Sequence, residues 1–250
     1  MSHKLTGQVA VVTGASKGIG AAIALALAAE GAAVVVNYSS SKDGAQKVVD
    51  AIVENGGKAV PVQADLSKEA DIRRLFAETK KAFGRLDILV NNAGLFEFVP
   101  LEEVTTAHFH KLFDVNVLGL VLAAQEAARH MDARGGTIIN ISSAITTLAP
   151  AMSTVYSGTK AAVDAITKVL AKELGPRKIR VNAISPGMVE TEGAHAGGFV
   201  GGDWQKQIEK VTPLGRIGQP KDVAAAAVFL ASDDSAWITG EALVMTGGYR

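Results

Sequence analysis

Short apolar runs alternate with longer helical stretches along the whole chain, and this alternation constrains the fold more than any other feature of the sequence. The runs lie at residues 9–12, 34–38, 59–63, 86–90, 137–141, 179–184 and 242–245. Most are apolar at every position, as strands buried on both faces must be. Between them, residues 18–30, 42–55, 68–83, 105–130, 153–174 and 221–230 read as helices, several of which stop at a glycine such as Gly31, Gly56 or Gly84. The pattern therefore predicts an α/β architecture, a parallel sheet with helices on both faces. No Pro/Gly/Ser-rich linker divides residues 1–250, which read as one domain. The odd segment is 193–202, with five glycines. It is either a plain surface loop or part of a substrate-covering flap over 188–210, in which Phe199 and Trp204 can cover an apolar substrate.

Composition excludes several function classes. Lys+Arg and Asp+Glu are 25 each, so the chain has no built-in attraction for nucleic acid. With no cysteine, disulfides, thiol catalysis and thiolate metal sites are ruled out. The five histidines show no ligand spacing, so no metal is expected. No apolar run approaches the ~20 residues a bilayer needs. A soluble, cytoplasmic protein is expected.

The first run feeds Thr13-Gly14-Ala15-Ser16-Lys17-Gly18-Ile19-Gly20, and a helix follows at once. Glycines there let the backbone approach a pyrophosphate, and the helix N-terminus offers free N–H groups. Glycines also end strands for steric reasons, so the loop alone does not decide. At the end of the second run Asn37 stands where an NAD site usually places a carboxylate. Tyr38, Ser39, Ser40, Ser41 and Lys42 follow, and Lys17 lies in the loop. Hydroxyls and ammonium groups without a carboxylate favour NADP over NAD. The serines could instead cap the next helix. Asp65 could accept from an adenine or simply start a helix. Asn91-Asn92-Ala93-Gly94 ends the fourth run, on the side where α/β sheets bind ligands.

Tyr156 and Lys160 are four apart in a helical stretch and so share a face. An ammonium beside a phenol lowers its pKa towards neutrality, as a general acid/base needs. Ser142 and Ser143 end the fifth run, and a hydroxyl there could donate to a carbonyl.

Taken together and in order, Thr13-Gly14-x-x-x-Gly18-Ile19-Gly20, Asn91-Asn92-Ala93-Gly94, Ser143, Tyr156-x-x-x-Lys160 and Pro186-Gly187 resemble the one-domain short-chain dehydrogenase/reductase family across the whole chain. The resemblance implies a doubly wound Rossmann fold with a seven-stranded sheet, and a nicotinamide cofactor. It assigns Ser143 to orient the carbonyl, Tyr156 to exchange the proton, Lys160 to hold the ribose and tune Tyr156, and Asn116 to position a water. It places Asp65 and Leu66 at the adenine, Asn92, Ala93 and Gly94 along the adenosine half, and Pro186, Gly187, Val189 and Thr191 near the nicotinamide.

The implied activity is NADP(H)-dependent hydride transfer to a small-molecule carbonyl, or from an alcohol. The alternatives are an NAD-dependent sugar or alcohol dehydrogenase and a catalytically silent nucleotide-binding regulator. The chain is similar to both 3-oxoacyl-[acyl carrier protein] reductases and glucose 1-dehydrogenases. Lys168, Lys172, Arg177 and Lys178 could dock an acidic carrier or form a solvated face. The family also implies a homotetramer, for which Ala123, Ala124, Ala127, Ala161 and Ala165 would let helices approach closely.

Overall fold

The structure is a computed structural model that describes residues 3–249. Seven strands, β1 (Val9–Val12), β2 (Ala33–Tyr38), β3 (Lys58–Gln63), β4 (Ile88–Asn91), β5 (Gly136–Ile141), β6 (Ile179–Pro186) and β7 (Ala242–Met245), form one sheet in the order β3-β2-β1-β4-β5-β6-β7. Every neighbouring pair is parallel. The chain winds outward from β1 to β3, returns to β4 beside β1, and winds outward again to β7. That reversal opens a crevice at the C-terminal ends of β1 and β4, the place where such sheets take ligands.

Helices cover both faces. On one side α1 (Gly18–Ala29), α2 (Lys42–Glu54) and α10 (Pro220–Ala231) pack through residues such as Ile23, Leu27, Ile52 and Leu230. On the other, α3 (Glu69–Phe83), α5 (Gly119–His130) and α7 (Thr154–Leu174) pack through Leu75, Phe76, Ala127 and Ala171. The strands supply both layers by alternation: Ala10 and Val12 face the first, Val11 the second. Fully burying a side chain the size of Leu27 or Phe76 stabilises the fold by about 1.5–3 kcal/mol. The two edge strands are wetter than their sequence pattern implies, and Leu243 and Val244 in β7 are exposed.

The helix expected over 105–130 is divided. α4 (Thr106–Phe113) passes into a π-helical turn, Asp114–Leu118, before α5 begins. The cause lies outside the helix. Asn116 spends its side chain on the backbone of Leu95, and at Gly119 a Cβ would fall 2.3 Å from the Leu66 carbonyl oxygen. Three further helices have no plain sequence signal: α6 (Ile145–Leu148), α8 (Glu192–Ala196) and α9 (Asp203–Val211). α8 and α9 fall inside the segment expected to be a loop or flap. α10 begins one residue before its expected start, with Pro220 in its first turn and a Gln219–Asp222 capping box.

Candidate active site

The glycine loop joins β1 to α1. Gly14 and Gly18 have φ of +62° and +58°, which glycine adopts without strain. At Gly20 a Cβ would meet Asn92 Nδ2 at 2.4 Å and Gly14 O at 2.5 Å. The loop is held from both sides: Asn92 Nδ2 donates to the carbonyls of Thr13 and Gly14, and Thr13 Oγ1 accepts from the N–H groups of Asn92 and Ala93. Lys17, at the N-cap of α1, makes no side-chain cap, and the first turn carries no acid. The N–H groups at that end therefore remain available to an anion.

Asn37 is fully buried, and its side chain takes a different place from the one expected. Its Oδ1 accepts from Gly14 N at 3.0 Å, and its Nδ2 donates to the carbonyls of Val62 and Ala64. It braces the glycine loop from beneath and offers nothing to a 2′-phosphate. Ser39, Ser40 and Ser41 are exposed, and Ser41 occupies the N-cap of α2 without capping it through its side chain. Tyr38 is half-buried, as is Ser16. Asp65 is occupied: its Oδ1 accepts from Ser67 N and Oγ, and Lys68 pairs with it at 3.5 Å. Leu66 is buried, its carbonyl against Gly119.

At the C-terminal ends of β4, β5 and β6 the structure brings the reactive groups together. Ile19, Asn92, Gly94, Ser143, Tyr156 and Lys160 line one cavity of about 650 Å³, with Pro186, Gly187, Val189 and Thr191 on its far wall. Gly14, Lys17, Ala93 and the β2 end lie outside it, along the crevice. Asn116 stands just behind Gly94, whose added Cβ would lie 3.3 Å from Asn116 Oδ1 and 3.6 Å from Lys160 Nζ. The Asn116 side chain is satisfied on three sides, by Leu95 N, Leu95 O and Thr159 Oγ1.

Ser143 Oγ accepts from Ile145 N at 3.2 Å, which leaves its own proton free to donate. The geometry corrects one expectation about Tyr156. Burial pushes the phenol up from its ordinary value, and the neighbouring Ser143 hydroxyl pulls it back only in part. Lys160 is not at the phenol oxygen. Its Nζ donates to Ile141 O at 2.8 Å and lies 5.8 Å from the Tyr156 ring centroid. Burial pushes Lys160 itself down to about 8, against the pull of Asp164.

An aromatic group stands over this centre, of which sequence reasoning finds Phe199 and Trp204 in the expected flap and misses Phe96 and Phe98. Phe96 and Phe98 follow the Asn91–Gly94 turn, and each places its ring 6.3 Å from that of Tyr156. Both also meet Phe199, which meets Trp204 at 5.4 Å. The only signal for Phe96 and Phe98 was their i, i+2 spacing, and nothing in it pointed to a cavity.

A seven-stranded parallel sheet with a glycine loop, a strand-end serine and a Tyr-x-x-x-Lys helix defines a nucleotide-binding oxidoreductase of the Rossmann type. Comparison with known proteins gives the family. The family model for enoyl-(acyl carrier protein) reductase matches residues 14–250. An uncharacterised oxidoreductase of Methylorubrum extorquens is 58% identical over 99% of both chains. Versicolorin reductase 1 of Aspergillus parasiticus is 41% identical over 99% of this chain and 98% of its own. Among solved structures, a short-chain dehydrogenase from Burkholderia cenocepacia in complex with NADP is 37% identical, covers 98% of this chain and 99% of its own, and superposes with a TM-score of 0.92. The chain belongs to the short-chain dehydrogenase/reductase family. Among the described residues no helix is long and apolar enough to cross a membrane.

Proposed function

We propose that the protein is an NADPH-dependent carbonyl reductase in which Tyr156 is the general acid. One observation carries this reading: Tyr156, Ser143 and Lys160 meet in one cavity that opens towards the glycine loop. The residues present fit a dinucleotide. Glycines at 14, 18 and 20 keep the loop flat enough for close approach, and α1 offers an uncapped, acid-free N-terminus. The Ser39–Ser41 hydroxyls, with Lys42 next in the chain and Lys17 in the glycine loop, favour a 2′-phosphate, and a relative with 37% identity binds NADP. When bound, NADPH supplies the hydride to the carbonyl carbon.

The chain's own groups do the rest. Ser143 donates to the carbonyl oxygen and fixes its position. As negative charge grows on that oxygen, Tyr156 transfers its phenolic proton to it, giving the alcohol and a phenolate. A phenol held high by burial is fully protonated at neutral pH, which suits it to give a proton. Lys160, still mostly charged at pH 7, stabilises the phenolate that remains. Asn116 ties the Leu95 backbone to Thr159 on α7, holding the two walls of the cavity in register.

Tyr156→Phe tests the assignment, because it keeps the ring and removes only the donor. Ketone reduction should fall by ~10²–10⁴-fold while NADPH binds as before. Near-normal turnover would remove Tyr156 from the mechanism.

A further inference from the structure

We infer that the substrate is a ketone carrying an aryl ring, conjugated with the carbonyl or held beside it, the ring added to an aromatic array built over Tyr156. The inference rests on the carbonyl-reductase reading above and names the class of ketone. Phe96 and Phe98 each meet the ring of Tyr156 and that of Phe199, at centroid separations of 5.5–6.3 Å and tilts of 57–60°. Trp204 extends the array with the same tilt, and both it and Phe96 are exposed at the cavity mouth. Tilted packing at these separations is the arrangement aromatic quadrupoles favour, and it accepts one more ring on its open side.

The array is a built feature. Glu97, between the two phenylalanines, pairs with Lys111 at 2.5 Å, outside the cavity, which leaves both neighbouring rings lining the cavity. Val99 N donates to Met152 O at 2.8 Å and anchors the same segment to the loop before α7. On the other wall Gly197 leaves room for Phe199: a Cβ there would fall 2.5 Å from that ring. A glycine in the segment is thus required for the ring position.

The lining also argues against polar substrates. Lys160 is its one charged side chain among the described residues, and its ammonium already donates to Ile141 O. Asn92 Nδ2 is spent on the glycine loop and Ser142 Oγ donates to Lys160 O, so beyond Ser143 and Tyr156 the lining offers little besides Thr191 Oγ1, which already accepts from Ala194 N, and the polar tips of Trp204 and Tyr249. A sugar would leave most of its hydroxyls unpaired, and a carboxylate or phosphate would find no free cation. A ketone carrying an aryl ring needs only the Ser143–Tyr156 pair for its one polar atom.

The test uses matched ketones, 2-tetralone against the saturated 2-decalone, with NADPH and the full chain. A preference of at least ~10-fold in kcat/KM for 2-tetralone is expected from two or more aromatic contacts. In Phe199→Leu the preference should shrink to within ~3-fold, by loss of the aryl rate alone. Phe96→Leu gives an independent version should the first variant fold poorly. Calorimetric titration of both ketones into the NADP⁺ complex reads the same preference without turnover. Equal rates for the two ketones, or an equal drop for both in the variants, overturn the inference and leave the reductase reading standing. Tighter binding of 2-tetralone without any turnover does the reverse.

Discussion

The Asn37 carboxamide is bonded only to backbone: it receives the Gly14 N–H and donates to the carbonyls of Val62 and Ala64. An aspartate there would set a carboxylate oxygen against those carbonyls in a buried site, a loss of about 1–3 kcal/mol or more. Asn37→Asp should therefore lower the melting temperature by several degrees rather than exchange NADPH for NADH. Ser39→Asp, on the exposed side of the same strand end, should raise the KM for NADPH at least ~10-fold through like-charge repulsion and leave NADH unharmed. A stable Asn37→Asp variant that switches cofactor would contradict both statements. Lys160 carries a second residue-scale consequence. Its folded value of about 8 lies below the ordinary 10.5, so the unfolded chain holds the extra proton between those pH values. Stability from this site then rises with pH across that window, and below about pH 8 the buried ammonium costs its full penalty. In melts of the unliganded protein, the gain from Lys160→Met should be largest near pH 7 and shrink towards pH 10. A pH-independent difference would show that Lys160 is not depressed.

At the scale of elements, the loop–α1 junction and the π-helical turn have different origins. The first is local: its glycines, its bare N-cap and the following alanines all lie within residues 13–29, so its form could be read directly. The second answers to distant backbone, Leu95 on one side and Leu66 on the other. The segment 188–210 shows both kinds of control. Its glycines announced an irregular path, while α8 and α9 form because Thr191 caps the first and the aromatic array seats the second. We expect this segment to act as the flap. Hydrogen exchange across 193–210 should slow when cofactor and ketone are both bound, while α1 and α10 change little. Equal protection with and without ligands would argue for a fixed wall.

Across the whole molecule, two further groups of exposed apolar side chains lie away from the cavity mouth. Phe109, Leu118 and Val169 lie on the α4–α5–α7 side, and Trp237, Leu243 and Val244 on the β7 side. Ala161 and Ala165 are exposed on α7, as close helix packing between subunits would need. Ala123, Ala124 and Ala127 are not available for it: they are buried in this chain's own core against α3. Two separate patches on one chain fit a homotetramer with two-fold axes, and light scattering at micromolar concentration should give four times the 25.9 kDa chain mass. A monomeric mass would exclude that assembly. The basic group that could dock a carrier or form a solvated face lies at the opposite end of the sheet from Tyr156, near the starts of β5 and β6. Arg177 is committed there, donating to the carbonyls of Ala128 and Met131 at the end of α5.

The amino-acid sequence by itself determined the class of fold, the strand positions to within two residues, and the helix face that Tyr156 and Lys160 share. Those features are local or periodic: continuous apolar runs for buried strands, glycine at helix ends, and a four-residue spacing that places Tyr156 and Lys160 on one face. Tertiary structure decided what depends on neighbours from elsewhere in the chain. It turned Asn37 from a cofactor contact into a brace, because the carbonyls it meets belong to β3 and the residue just past its end. It set the sign of the Tyr156 shift, because burial by the surrounding chain outweighs the hydrogen bond with Ser143. It also assembled Phe96, Phe98, Phe199 and Trp204, which lie up to about a hundred residues apart, over one phenol. Contacts between residues so far separated leave no periodicity to read, so the aromatic array emerged only from the folded chain.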